Sequence, residues 1–246
     1  MLKFFLLVFM MLVSNITVLS QVSDQKEYWY RFSTARSLQD VETIERLIDE
    51  LQEVVLKEKA DGIEHKLLLA EALIERAMLS SDAKEKKKHL ETSLKIIKEI
   101  LSMDVNVGKA HYLYALAISR LMEHVDVFRK LSMLKDFDHH MQKAVDLLDE
   151  PLYLGLALMG FGIRYMSPPW PFNDHKKARF YLEKATEYIP DYSGVYLYLG
   201  IYHLKFGHKE EARKMFLKVL STKPHQLFIK AHEENVKEAL EYLERM

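Results

Sequence analysis

The chain repeats itself at a fixed spacing of 34 residues over positions 174–224. Four pairs of positions share this spacing: Ala178 and Ala212, Leu182 and Phe216, Ala185 and Val219, and Pro190 and Pro224. A period of this size is typical of stacked supersecondary units, each too small to bury its own apolar face. The clearest repeats therefore cover residues 174–190 and 193–224, and we expect the rest of the chain to form similar units.

The second of these units shows which positions the period preserves. Gly200 and Ala212 are small residues where two helices would cross, Gly207 suits a left-handed turn between them, and Pro224 ends the second helix. Counted from Ser193, the motif places Tyr196, Leu199, Gly200, Gly207, Ala212, Phe216 and Pro224 at offsets 4, 7, 8, 15, 20, 24 and 32.

These offsets resemble the tetratricopeptide repeat (TPR), a helix–turn–helix unit of 34 residues. The chain departs from the family at His203 and at Val219, where Tyr or Leu and then Ala are usual. The resemblance implies a right-handed superhelix of antiparallel helix pairs. It also implies a concave surface, lined by the first helix of each pair, that binds a peptide or protein segment.

Helical spacing of apolar residues, with capping and turn residues between the segments, continues through the chain. It predicts an all-α solenoid of about five helix pairs followed by a capping helix, all within one domain at residues 21–246. The predicted helices begin with a short one after Ser23 and continue from Leu38 to Lys59 and from Ile63 to Leu79. Ser80, Ser81 and Asp82 cap the next helix, which ends near Met103. The others run from Val107 to His124, from Asp126 to Leu148, from Pro151 onward, from Asp174 onward, and from Gln226 to Arg245.

The helix that Pro151 opens is apolar on nearly all sides, so we expect it to lie centrally. The segment from Met166 to Asn173 then interrupts the repeat. If Leu154 and Gly155 hold the places of Leu199 and Gly200, Ala178 arrives about eleven residues late. The sequence thus predicts an insertion inside one helix pair, in which Trp170 and Phe172 must pack against something.

Residues 1–20 differ from everything after them. Lys3 precedes an unbroken apolar run of ten residues, Phe4 to Val13, which is too short to span a bilayer but suits a signal peptide. Val18 and Ser20 would lie at −3 and −1 of a cleavage site. We expect export to a bacterial periplasm or to the cell exterior. An uncleaved N-terminal membrane anchor and a buried N-terminal helix are the alternatives.

Composition and motifs narrow the function. The formal net charge of −1 provides no overall electrostatic attraction for nucleic acid, and the absence of cysteine excludes catalysis or metal binding by a thiol. No nucleophile, phosphate-binding or dinucleotide motif occurs, so we expect no catalytic residue, no cofactor and no metal. Asp136 and His140, one helical turn apart, are interpreted as a solvated face, and His203 as a packed, hydrogen-bonded histidine.

The candidate binding residues follow from their positions in the repeat. The middle units have a mixed lining, whereas the last unit presents three bulky aliphatic side chains. Those aliphatics either bind something apolar or are covered by the insertion or the C-terminal helix. The candidates are Glu71, Glu75, Tyr112, Arg120, Trp170, Phe172, Leu197, Ile201, Leu204 and Lys205.

Two functions are compatible with this sequence. The first is an exported scaffold that holds another protein on its concave face. The second follows from Asp174, Lys177 and Ala178 after a proline-rich break, which resembles the T-component of tripartite ATP-independent periplasmic (TRAP) transporters. That resemblance implies an accessory that binds a small apolar ligand and a periplasmic solute-binding protein. The chain lacks the glycine-rich approach expected before this helix, and it has no lipobox cysteine.

Overall fold

The computed structural model describes residues 25–57, 62–123, 125–167 and 173–246. The predicted signal segment at residues 1–20, and Trp170 and Phe172 of the insertion, lie outside these ranges. The described residues form eleven α-helices and no strand. The helices are α1 (25–38), α2 (Val41–Lys57), α3 (Ile63–Leu79), α4 (Ala83–Met103), α5 (Gly108–Met122), α6 (Val127–Leu147), α7 (Pro151–Met166), α8 (His175–Tyr188), α9 (Ser193–Lys205), α10 (Lys209–Ser221) and α11 (Ile229–Arg245).

The helices stack as consecutive antiparallel pairs, α1 with α2 through α9 with α10. The first helices α3, α5, α7 and α9 also contact one another in sequence and form an inner row, while α11 packs on both α9 and α10. The predicted all-α solenoid of five pairs and a capping helix is confirmed. Helix α7 contacts α5, α6, α8 and α9, which explains why it is apolar on nearly every side.

Aspartates start four of the helices. The carboxylates of Asp82, Asp126 and Asp174 each accept a hydrogen bond from a backbone N–H in the first turn of α4, α6 and α8. The predicted start of α2 at Leu38 is wrong, because that residue still belongs to α1. Gln39 adopts a left-handed conformation with φ of 53°, and Asp40 then accepts from the N–H of Thr43 at 3.1 Å.

Two glycines mark the places where paired helices touch most closely. A Cβ built on Gly200 would overlap the Phe216 ring, and one built on Gly162 would overlap Cγ of Leu182. Gly162, and not Gly155, therefore holds the crossing position in the α7–α8 pair. Gly162 precedes Leu182 by 20 residues, whereas Gly200 precedes Phe216 by 16. The connection within the α7–α8 pair is therefore four residues longer than that in the α9–α10 pair, and not eleven as predicted.

We predict that Gly162→Ala will lower the free energy of unfolding by about 1–3 kcal/mol, because the new methyl group must displace Leu182 from a packed core. Gly160→Ala on the same helix is the control. Its Cβ would meet only the flexible end of Met141 at 3.0 Å, and Ala favours a helix by about 1 kcal/mol over Gly. Urea unfolding measures both, and equal effects would contradict the assignment of Gly162 to the crossing.

Candidate binding site on the concave face

The inner row brings the candidate residues of the middle units together, but it buries them. Glu71 and Glu75 of α3 and Tyr112 of α5 are each less than a tenth exposed. Arg120, at the end of α5, is half-buried. The concave surface of the first pairs is therefore a polar core and not an open groove.

Glu71 lies at the centre of this core. Its Oε1 lies 2.8 Å from Nη1 of Arg36, and its Oε2 lies 2.9 Å from Nζ of Lys109. The Tyr153 hydroxyl lies 2.9 Å from both carboxylate oxygens. We call Arg36, Glu71, Glu75, Lys109 and Tyr153 the inner cluster.

Aromatic rings surround the two cations of the inner cluster. Nζ of Lys109 lies 4.3 Å from the centre of the Tyr153 ring and 4.8 Å from that of Trp29. The Arg36 guanidinium lies 4.8 Å from the centre of the Phe228 ring. These cation–π contacts are favourable because the cations are shielded from water.

The two carboxyl groups of the inner cluster are in different electrostatic states. Burial opposes the charge on Glu71, but Lys109 and Arg36 more than offset that cost, so its pKa is lowered. Burial raises the pKa of Glu75, and Arg36, at 3.2 Å, offsets it only in part. Paired carboxyls with diverging pKa values can serve as acid and base. Here both oxygens of Glu71 already accept from Arg36, Lys109 and Tyr153, so neither is free to take a proton from a substrate.

The two ends of the solenoid meet beside the inner cluster. Ser37 Oγ donates to the carbonyl of Gln226 at 2.6 Å, and Gln39 Nε2 donates to Glu234 at 3.1 Å. Phe228 is buried between Arg36 and Tyr192, and burial raises the pKa of Tyr192 to about 12. We call residues 225–234 the closing segment, because they join the last repeat to the first.

The aliphatic candidates of the last unit are covered from within the chain. Leu197 belongs to a buried cluster with Ala239 of α11, and Ile201 and Leu204 pack against the same cluster. Lys205 Nζ donates to the carbonyl of Met166 at 2.5 Å, at the end of α7. Helix α11 therefore covers this part of the groove, and the predicted insertion lies largely outside the described residues.

The histidines do not assemble a metal site within the described ranges. Nδ1 of His140 lies 2.8 Å from Nδ1 of His111, and its ring stacks on Tyr114. Burial, followed by the charge of His111, lowers the pKa of His140 to about 4. His203 is buried as expected, but its Nδ1 has no hydrogen-bond partner among the residues described.

Sequence reasoning missed Arg36, Lys109 and Tyr153. Arg36 precedes the first helix pair with any repeat signal, and nothing in the local pattern links it to Glu71, 35 positions away. Lys109 and Tyr153 lie near the starts of α5 and α7. Their positions could have been used to predict that they lie near Glu71, because residues at equivalent places in the first helices of a repeat array share one surface.

None of the helices described is both long enough and apolar enough to cross a membrane. Stacked helical hairpins with an inner row of first helices define the class of TPR-like helical-repeat proteins. The solved structure of TTC0263, a TPR protein from Thermus thermophilus, has this fold. Its TM-score is 0.59 at 16% identity, over 87% of this chain and 98% of that one.

Within this class, the family model described as RMD1-3, regulator of microtubule dynamics protein 1-3, matches residues 32–154. The match covers half of the chain, and the chain belongs to this family. Every residue of the inner cluster lies inside the matched span.

The solved structure of MamA is a more distant likeness, with a TM-score of 0.41 and 17% identity over 80% of this chain and 91% of that one. No curated protein matches the sequence. The likeness to the TRAP T-component gains no support from these comparisons.

We predict that Glu71→Gln will lower the free energy of unfolding by about 3 kcal/mol at neutral pH, because it removes the carboxylate that pairs with Lys109 and leaves Arg36 paired with Glu75, whose charge is disfavoured by burial. Glu75→Gln is the matched control on the same helix. It removes a carboxylate whose charge is already disfavoured, so we expect a change within about 1 kcal/mol. Urea unfolding at neutral pH measures both, and equal losses would contradict a central role for Glu71.

The two variants should also differ in their pH dependence. The pKa of Glu71 lies below its usual 4.5, so its contribution is complete above that pH and is lost as the pH falls through the lower value. The deficit of Glu71→Gln should therefore shrink in acid. The pKa of Glu75 lies above 4.5, so the wild type should lose stability relative to Glu75→Gln as the pH rises past 4.5. Unfolding curves across this range test both signs.

Proposed function

We propose that this protein is a non-enzymatic scaffold that binds a protein partner. The observation that carries the proposal is the stack of five helical hairpins. The inner cluster fixes their arrangement, and the closing segment connects the last hairpin to the first. Such a body presents a large surface of fixed shape, which lowers the entropic cost of binding. Because the family is described by regulation of microtubule dynamics, a microtubule is the first partner to test.

The concave face is not our preferred contact surface. Its middle positions are filled by the inner cluster, and its last unit is covered by α11. We propose that the partner binds the rim and the outer helices instead. Binding at the concave face is the second candidate, and it is favoured by the small number of side-chain contacts that join Ser37 and Gln39 to the closing segment.

A small apolar ligand, as in the transporter-accessory hypothesis, receives less support. The aliphatic side chains that suggested it, Leu197, Ile201 and Leu204, pack against α11. That hypothesis keeps its own test, which is native mass spectrometry of the purified protein for a bound lipid or organic acid.

We predict that the purified chain will co-sediment with polymerised tubulin. Locking the closing segment to Gln39 with a covalent cross-link should not reduce this binding. The chain has no cysteine, so Gln39→Cys with Glu234→Cys can be joined selectively by a short bis-maleimide. Each single-cysteine variant, treated with the same reagent, is the control. Loss of binding only in the locked protein would favour the concave face, and no co-sedimentation by the wild type would exclude the microtubule.

Export is a separate proposal, supported by the apolar run from Phe4 to Val13 and by Val18 and Ser20, which would lie at −3 and −1 of a cleavage before Gln21. We expect the mature protein in its native host to begin at Gln21, and mass spectrometry of its N-terminal peptide measures this. An intact N-terminus on a membrane-bound protein would indicate the anchor instead. Because microtubules are cytosolic, removal of the segment by export would also argue against that partner.

A further inference from the structure

The start of α4 carries an unusual concentration of positive charge. Asp82 is the N-cap of this helix, and four of the next six residues are lysines, Lys84, Lys86, Lys87 and Lys88. Lysines in the first turns face the positive end of the helix dipole, and like charges four residues apart repel each other. This arrangement costs helix stability, so the needs of the fold do not account for it.

The neighbouring acids pair with only one of these four lysines, Lys87, among the residues that the structure describes. Glu85 lies 2.9 Å from Arg76 and accepts from the hydroxyl of Ser80 at 2.5 Å. The carboxylate of Asp82 caps the helix, and Glu91 lies 3.7 Å from Lys87. In the part of the chain that the structure describes, Lys84, Lys86 and Lys88 form no ion pair. Their charges are therefore directed to solvent or to a partner.

Arg120 of α5 lies beside one of these lysines, Lys86. It lines a shallow depression with Lys86 and Glu123, and the depression also has Ala77 and Met78 of α3 in its lining. Arg120 Nη1 donates to Glu123 at 3.0 Å, but its Nε is shielded from solvent and has no acceptor among the described residues. A buried donor without an acceptor is costly unless something binds it. Met78 is 41% exposed beside it.

The depression is of a size to suit one side chain. Its volume is about 120 Å³, below the 300–1,000 Å³ or so of small-molecule sites. A guanidinium recognises a carboxylate through two parallel N–H groups, and an adjacent apolar surface suits an aliphatic neighbour.

We propose that Lys84, Lys86, Lys87, Lys88 and Arg120, here called the basic rim, bind an acidic segment of the protein partner. One carboxylate of that segment enters the depression and pairs with Arg120, a neighbouring aliphatic side chain covers Met78, and further carboxylates pair with the lysines of α4. The inference rests on the proposed scaffold function and gives the chemistry of its partner.

Charge complementarity favours a peptide over a membrane or a nucleic acid. Asp82, Glu85, Glu91 and Glu123 lie among the basic residues and would repel a continuous surface of phosphates. A peptide can space its carboxylates between them. The chain as a whole has a net charge of −1, so any attraction for an acidic segment must arise locally.

The test is fluorescence anisotropy of a labelled glutamate- and leucine-rich peptide with the purified full chain. Lys84→Glu with Lys88→Glu should weaken binding by about tenfold or more, while the thermal unfolding midpoint stays equal or rises, because acids suit a helix start. Arg120→Met, which keeps the aliphatic stem, should weaken binding similarly. Lys209→Glu with Lys214→Glu, exposed at the start of α10, makes the same charge change and should leave binding intact.

Three outcomes would overturn the inference: no peptide binding by the wild type, equal losses in the two double variants, or binding to phosphatidylserine vesicles in place of the peptide. Peptide binding that depends on the basic rim, with no binding to microtubules, would support the inference and reject only that partner. Microtubule binding that survives in Lys84→Glu with Lys88→Glu would leave the scaffold function standing and overturn the basic rim as its contact.

Discussion

The buried carboxylate of Glu71 holds the structure in register, because its partners come from three other helices. Arg36 belongs to α1, Lys109 to α5 and Tyr153 to α7, so one side chain of α3 joins the first four hairpins. Apolar interfaces between hairpins tolerate small shifts, whereas a buried ion pair is stable only in good geometry. The inner cluster therefore fixes how tightly the first four hairpins curve.

That curvature brings the ends of the solenoid together. In an extended repeat array each unit contacts only its neighbours, and stability is close to a sum of local terms. Here Ser37 bonds to Gln226, and Arg36 lies against Phe228, across almost the whole array. The first and last units consequently stabilise each other, and unfolding of one end removes contacts from the other. An array closed in this way should unfold more cooperatively than an open one of the same length.

Local sequence signals predicted much of this fold, but contacts between residues far apart in the sequence could not be predicted from them. Asp82, Asp126 and Asp174 mark helix starts because a cap is decided within three residues. The repeat at 174–224 revealed the class, although the family match covers residues 32–154. The crossing at Gly162 was misplaced because Gly155 offers the same local pattern. Arg36 could not be linked to Glu71 because their contact depends on the curvature of several hairpins at once.

Mutual neutralisation in the inner cluster also constrains how the protein can acquire a partner. Removing Glu71, the anion that both cations share, costs about 3–5 kcal/mol, which is a large fraction of the stability of a typical domain. The concave face can therefore not be adapted to a ligand one residue at a time. Exposed residues on α4 and at the end of α5 change at little cost to the fold. Selection for a partner can act there freely, so binding specificity belongs on the rim while the interior maintains the shape.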